Sequence, residues 1–146
     1  MSKSFLPDVN VWLAMVSERH AHAEWASRWF EALEGETACF CRITQMGLLR
    51  LLTNERVMGG DVLTQAEAWQ VYGNLFSDPR VALLAEPLGL EYRWATLTSS
   101  QRSDHRRWTD AHLQAFAQSG GLHVVTPDRG LAQYTDPSPL LLGPPA

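Results

Sequence analysis

Several residue types are scarce in this chain of 146 residues, and each scarcity narrows the class of protein. The two cysteines, Cys39 and Cys41, lie two positions apart, and no second pair at zinc-like spacing accompanies them. We therefore expect buried, reduced thiols rather than a disulfide framework or a zinc site. No apolar run approaches the ~18 residues that cross a bilayer, and no apolar signal stretch follows Met1. These absences predict a folded cytoplasmic protein without a membrane span.

Lysine is also nearly absent, because Lys3 is the only lysine among 12 basic residues, and the formal net charge is −4. An acidic balance argues against a protein that coats nucleic acid through a large basic face. Three arginines, Arg102, Arg106 and Arg107, nonetheless lie close together, and Arg129 follows later. The planar guanidinium group suits phosphate. The pattern is therefore typical either of an enzyme that contacts a phosphodiester briefly or of a solvated helix face.

Segments of two kinds alternate along the chain. Short β-prone segments are followed by segments with the apolar spacing of amphipathic helices, and one helix begins with a Thr64/Glu67 capping box. This alternation predicts an α/β fold with a mostly parallel sheet. We expect a single domain over residues 1–146, with a proline-rich tail from about residue 143. The predicted strands are 4–9, 37–41, 80–86, 122–128 and 138–143; the predicted helices are 10–16, 22–34, 43–53, 63–78, 88–100, 108–121 and 129–134, with a loop at 54–62.

Three aspartates follow strands or begin a helix. Asp8 and Asp128 come at the ends of predicted strands, and Asp110 falls in the first turn of the helix 108–121. Each alone is explained by helix capping or by the helix dipole. In a parallel sheet, however, ligands bind beyond the carboxyl ends of the strands, and a hard divalent cation keeps converging carboxylates ionised. The sequence therefore predicts a metal site at one end of the sheet.

Four phrases of the chain resemble one known family in both order and spacing. DVNVWL, ITQMGLLRLLTN, WTDAHLQAFA and VVTPDRGLA are similar to the motifs of the PIN domain and, more narrowly, of the VapC toxins of bacterial toxin–antitoxin pairs. The resemblance covers nearly the whole chain. It implies a three-layer α/β/α sandwich and a ribonuclease that depends on Mg²⁺ or Mn²⁺. It also implies an RNA substrate, a cognate antitoxin and a homodimer.

The resemblance assigns roles to particular residues. Asp8, Asp110 and Asp128 become the catalytic, metal-binding acids, and they would hold one Mg²⁺ that keeps several waters. The residues expected to support these acids are Asn10, Thr126, Thr44 and Gln45, and the arginines expected to contact substrate are Arg50, Arg129, Arg106 and Arg107.

One position departs from the family pattern. The family usually has a glutamate in the phrase T-x-x-E, whereas three residues after Thr44 this chain has Gly47. We therefore expect one divalent ion rather than the two of a four-acid site. Gly47→Glu should tighten metal binding if its side chain points at the other acids. Otherwise the fourth ligand is to be sought at Gln45 or Asp104.

The aromatic residues suggest an interface. The helical faces around Trp25, Trp29, Trp69 and Tyr72 carry more large aromatic side chains than one small core needs, which favours a homodimer. Trp108 lies beside the arginine cluster and is the tryptophan best placed for stacking on a base.

Two other interpretations remain open. In the first, the chain is a catalytically weak or dead PIN-like binding module. In the second, it is an α/β phosphoryl-acceptor domain that uses Asp8. Against the second, Asn10 stands where the haloacid-type motif has its second acid.

Overall fold

The strands form one parallel sheet. The computed structural model describes residues 3–133 and 137–143, so Tyr134, at the end of the last predicted helix, and residues 144–146 of the predicted tail lie outside the described residues. Within the described part, the strands are β1 (Ser4–Pro7), β2 (Thr37–Phe40), β3 (Val81–Leu83), β4 (His123–Thr126) and β5 (Leu140–Leu141). The sheet has the order β3-β2-β1-β4-β5, and every pairing is parallel. The predicted sheet is thereby confirmed.

Helices occupy most of the connections between strands. The expected loop at 54–62 was wrong in part, because it contains a one-turn helix and a 3₁₀ turn at Gly59–Asp61. The side chain of Asn54 begins that helix by accepting the Arg56 N–H at 3.0 Å. No helix in the described ranges is long and apolar enough to span a membrane. The helices are α1 (Val9–Val16), α2 (Ala23–Glu31), α3 (Arg42–Leu52), α4 (Glu55–Met58), α5 (Gln65–Leu75), α6 (Leu90–Leu97), α7 (Arg107–Gly120) and α8 (Arg129–Ala132).

An apolar core lies on each face of the sheet. On one face, α1, α2, α3 and α5 bury a cluster in which the rings of Trp12 and Phe40 stack at 3.8 Å. On the other face, α6 and α7 pack with Leu6 and both cysteines, which are free and buried as expected. The three layers confirm the sandwich architecture.

The strand order places the site. The chain runs from β1 outward through β2 to β3 and then returns to β4 on the other side of β1. Ligands of such sheets bind where the order reverses, outside the carboxyl ends of the strands. Here that point lies between β1 and β4, where Pro7 is paired with Val125. The residues that follow these two strands, beginning with Asp8, therefore meet at one end of the sheet.

Candidate active site

Asp8 is held by contacts to both of its carboxylate oxygens. It caps α1, because Oδ1 accepts the Val11 N–H at 3.0 Å, and Oδ2 accepts the hydroxyl of Thr126. Its own N–H donates to the carbonyl of Val125 at 2.9 Å. Only 6 % of the residue is exposed. The carboxylate is thus fixed in direction before any ligand arrives.

Thr126 joins the ends of β1 and β4. Its side chain is fully buried, and its hydroxyl both donates to Asp8 and accepts the Asp128 N–H at 3.0 Å. Asp128 itself is exposed and caps α8, with Oδ1 accepting the N–H groups of Gly130 and Leu131 at 2.8 and 3.4 Å. The two strand-end acids are therefore linked through one buried hydroxyl.

Asp110 approaches from a different element. It lies in the first turn of α7, as expected, and is exposed. Partial burial raises the pKa of its carboxyl, and the negative charge of Asp128 raises it further. Arg107 opposes this rise, whereas Asp104 adds to it. Asp110 and Asp128 are thus close enough to repel each other.

The pKa of Asp8 is also raised. Burial is the main cause, and the charge of Asp128 adds to it. The hydrogen bonds from Thr126 and from backbone N–H groups act in the opposite direction. Of the three acids, Asp128 is the one whose charge acts on both of the others.

The donor set suits a hard divalent cation, because carboxylate oxygens are the ligands that Mg²⁺ and Mn²⁺ prefer and a cation relieves the repulsion between them. Among the residues that the structure describes, however, no three His, Cys, Asp or Glu side chains converge closely enough to hold an ion. The acids therefore fit a metal by chemistry and charge, although the three side chains do not converge on one point.

The other residues expected to support the acids have local partners. Thr44 caps α3, accepting the Cys41 N–H at 3.0 Å. Gln45 accepts from Arg42 at 2.6 Å and acts to lower the pKa of the Tyr72 hydroxyl. Asn10 is exposed on α1, and its backbone N–H acts to lower the pKa of Asp8.

Gly47 has a packing role in the structure. A Cβ built there would lie 2.9 Å from Cγ2 of Val9, which is closer than real Cβ atoms approach. The glycine therefore lets α3 lie against the first turn of α1. A side chain at this position meets Val9 first. We therefore expect Gly47→Glu to disturb the packing of α3 against α1, whether or not its carboxylate reaches the other acids. Asp104, whose charge reaches Asp110, becomes the better candidate for a fourth acid.

A groove of about 1010 Å³ opens beside Asp110, between the end of α6 and the start of α7. Arg107 is the arginine expected to contact substrate that lines this groove. Arg102 and Trp108 also line it, and the only sequence signal for them was their position in or next to the arginine cluster. The lining residues are Thr96, Leu97, Thr98, Ser100, Arg102, Ser103, Asp104, His105, Arg107, Trp108, Asp110 and Gly130.

The remaining expected arginines lie elsewhere. Arg106 is exposed just before α7 and pairs with Asp104 at 3.8 Å. Arg129 is exposed at the start of α8, directly after Asp128. Arg50 lines a separate hollow of about 330 Å³ between α3 and α5, together with Trp69.

Comparison with known proteins gives a consistent result. The family model described as PIN domain matches residues 5–137. Ribonuclease VapC41 of Mycobacterium tuberculosis is 40 % identical to the chain over 134 residues, which cover 88 % of this chain and 92 % of that protein.

Solved structures share the fold at low sequence identity. VapBC2 from Rickettsia felis, crystallised with a fragment of promoter DNA, has a TM-score of 0.67 at 10 % identity, covering 94 % of this chain and 96 % of that chain. VapC20 of Mycobacterium tuberculosis, described as a sarcin-ricin loop cleaving toxin, has a TM-score of 0.62 at 17 % identity, covering 92 % of this chain and 99 % of that chain. At such identities the likeness is one of fold alone.

Proposed function

This chain belongs to the PIN domain family, and on that premise we propose that it is the ribonuclease toxin of a type II toxin–antitoxin pair, hydrolysing RNA phosphodiester bonds. The observation that carries the proposal is the 40 % identity to Ribonuclease VapC41 over most of both chains. Two features of the site support it: Thr126 links the carboxylate of Asp8 to the backbone of Asp128 at the switch point of the sheet, and Asp110 lines a groove.

We propose that Asp8, Asp110 and Asp128 hold Mg²⁺ or Mn²⁺. When bound, such an ion polarises the phosphodiester and lowers the pKa of a coordinated water. The raised pKa values of Asp8 and Asp110 support this assignment, since burial and the negative charge of Asp128 both disfavour the ionised form of these carboxyls and a bound cation would favour it.

The residues of the chain itself supply orientation. Thr126 and the Val11 N–H keep Asp8 in one direction, and Thr126 ties the backbone of Asp128 to it. We assign Asp128, whose side chain is exposed, to accept a hydrogen bond from the attacking water.

The arginines are proposed to bind the charged backbone of the substrate. Arg107 lines the groove, and Arg106 and Arg129 are exposed at the starts of the two helices that carry Asp110 and Asp128. Arg50, expected from the sequence to contact substrate, lines the separate hollow with Trp69 and lies outside this proposed contact surface.

The proposed partners also follow from membership of the PIN domain family. The solved structures that share this fold include a toxin–antitoxin complex from Klebsiella pneumoniae. We propose that a cognate antitoxin lays a segment over the groove, that the chain forms a homodimer, and that it acts in the cytoplasm.

The phosphoryl-acceptor alternative is disfavoured by Asn10, which stands where the haloacid-type motif has its second acid. The binding-module alternative is tested by whether the purified chain cleaves RNA.

The test is cleavage of single-stranded RNA by the purified chain with Mg²⁺ or Mn²⁺ and with excess EDTA. We expect cleavage that the chelator abolishes and that Asp8→Asn lacks. Calorimetric titration with Mn²⁺, with and without Asp8→Ala, reports metal binding independently. Undiminished cleavage in excess chelator would refute the metal assignment, and metal binding without any cleavage would favour the binding module.

A further inference from the structure

Trp108 is an exposed tryptophan on the wall of the groove. It lies in the first turn of α7, and 53 % of the residue is exposed. Leaving so large an apolar ring in water forgoes the free energy of burial. Beside a candidate site, such a ring is a surface on which a planar ligand can stack.

The ring is also held in place. The indole N–H of Trp94, on α6, donates to the backbone carbonyl of Trp108 at 2.9 Å. The two indole rings meet edge to face, with centroids 6.2 Å apart and planes at 82°. Trp94 in turn meets His112 edge to face at 5.2 Å. A supported side chain loses little conformational freedom when a ligand stacks on it.

The charges around Trp108 indicate the kind of ligand. Arg102 and Arg107 line the same groove, although the chain as a whole has a net charge of −4. Two acids also line it: Asp110, which is one of the acids proposed to hold the cation, and Asp104, whose carboxylate accepts the Arg106 N–H at 3.0 Å and pairs with that guanidinium. An exposed aromatic ring in a groove that also presents arginines is the arrangement that binds single-stranded nucleic acid.

We infer that Trp108 stacks on an unpaired base of the RNA close to the cleaved phosphodiester, with Arg102 and Arg107 at the flanking phosphates. The inference rests on the proposed ribonuclease function and narrows its substrate to single-stranded RNA or a loop. Bases inside an A-form duplex are already stacked on each other, whereas unpaired bases are free to stack on protein.

The experiment combines protein variants with an altered RNA. Once the cleavage site is mapped, a fluorescein-labelled RNA spanning it is titrated by anisotropy in the Asp8→Asn background, which prevents turnover. Trp108→Ala is compared with Trp108→Phe and with Tyr92→Ala, a control on α6 whose exposed aromatic ring does not line the groove. A second RNA series has one abasic nucleotide at successive positions.

We expect Trp108→Ala to weaken binding about 5- to 150-fold, the range for one stacked base. Trp108→Phe should retain most of the affinity, and Tyr92→Ala all of it. One abasic position should weaken binding to the parent protein by a similar factor and add nothing in Trp108→Ala. The abasic series on the parent protein shows whether a base is held at all, and Trp108→Phe, which keeps a smaller aromatic face, assigns the contact to Trp108 if Trp108→Ala fails to fold.

Two outcomes overturn the inference while leaving the ribonuclease proposal intact. In the first, the parent chain cleaves RNA, but neither an abasic nucleotide at any position nor a substitution of Trp108 changes the affinity for RNA. The second is a Trp108→Ala variant that binds RNA normally but loses affinity for the antitoxin, which would make the groove a protein-binding surface. Absence of both RNA cleavage and RNA binding in the parent chain would instead refute the proposed function itself, and this inference with it.

Discussion

At the scale of single residues, the hydroxyl of Thr126 is the link between the two strand-end acids. It is fully buried, and each of its hydrogen bonds reaches a residue of the site. A buried hydroxyl with one donated and one accepted bond orients both partners, and neither bond can be replaced by water without opening the core.

Thr126→Val keeps the shape of the side chain and removes its hydrogen bonds to Asp8 and to the Asp128 N–H. We expect a loss of about 1–3 kcal/mol in the free energy of unfolding, since buried polar groups are left unsatisfied. Because the Thr126 hydroxyl lowers the pKa of Asp8, its loss should raise that pKa, and the acid limb of the pH–activity profile should move to higher pH. We expect the metal-dependent activity to fall about 10- to 100-fold.

Thr126→Ser is the matched control, because it retains the hydroxyl and should retain the acid limb of the parent. Denaturant unfolding and the pH dependence of kcat/KM measure the two effects. An unshifted acid limb in Thr126→Val would contradict the orienting role.

Asp8→Asn separates binding of the metal from stability. Burial raises the folded-state pKa of Asp8 above its unfolded value, so the ionised group costs stability as the pH rises through the folded pKa. The amide removes that cost and can still cap α1. In EDTA at neutral pH, we expect the Tm of Asp8→Asn to equal or exceed that of the parent.

Mg²⁺ should raise the Tm of the parent and leave that of Asp8→Asn unchanged. Ligand at 100 times its Kd stabilises a protein by about 2.7 kcal/mol. Thermal melts in EDTA and in Mg²⁺ give both results. Equal stabilisation of the two proteins by Mg²⁺ would remove Asp8 from the ligand set.

At the scale of elements, the contact of α1 with α3 depends on Gly47. The glycine lies in the middle of α3, where alanine would be favoured by about 1 kcal/mol on helix propensity alone. Cγ2 of Val9 occupies the space that a Cβ would take, and a β-branched side chain has little freedom to move aside.

Gly47→Ala is therefore expected to lower the free energy of unfolding by up to about 2 kcal/mol, because overpacking costs about 1–3 kcal/mol and outweighs the gain in propensity. Combining it with Val9→Ala should recover part of that loss as a favourable coupling. Gly73→Ala in α5 is the control: a Cβ there meets nothing within 4 Å, so the variant should gain up to about 1 kcal/mol. Denaturant unfolding measures the parent, the single variants Gly47→Ala, Val9→Ala and Gly73→Ala, and the combination of the first two. A Gly47→Ala variant stabilised as much as Gly73→Ala would show that the two helices separate at little cost.

At the scale of the whole molecule, the structure changes which aromatic residues are available to a second copy. Tyr72 is buried, and Trp25 and Trp29 pack against the core, so these rings are mostly accounted for within the chain. Trp69 is 56 % exposed beside Met46, which is 50 % exposed on α3. The proposed dimer therefore has its apolar surface on α3 and α5.

Trp69→Glu should convert the proposed dimer to a monomer, because it places a charge in the middle of that apolar surface. Light scattering should give a particle of 16.4 kDa for the variant and about twice that mass for the parent. Leu88→Glu, a change at an exposed leucine outside this surface, should leave the mass unchanged. A parent particle of 16.4 kDa at all micromolar concentrations would contradict the dimer.

The sequence by itself determined what depends on neighbours along the chain. Short β-prone segments indicated the five strands and apolar spacing indicated the order of the main helices, because each of these signals lies within one segment of the chain. The Thr64/Glu67 capping box and the cap at Asp128 were equally readable, since their hydrogen bonds span two or three residues. The one-turn helix α4 was missed, because four residues are too few to display a helical period.

Only the tertiary structure decided what depends on residues far apart in the chain. Thr126 and Asp8 are separated by 118 positions, yet parallel pairing of β1 with β4 brings them into a hydrogen bond. The space at Gly47 is taken by Val9 from another helix, and the groove at Trp108 arises where α6 and α7 pack. Hydrogen bonds and steric contacts act over a few ångströms, so their partners are set by how the elements pack, which the local period of the sequence does not specify.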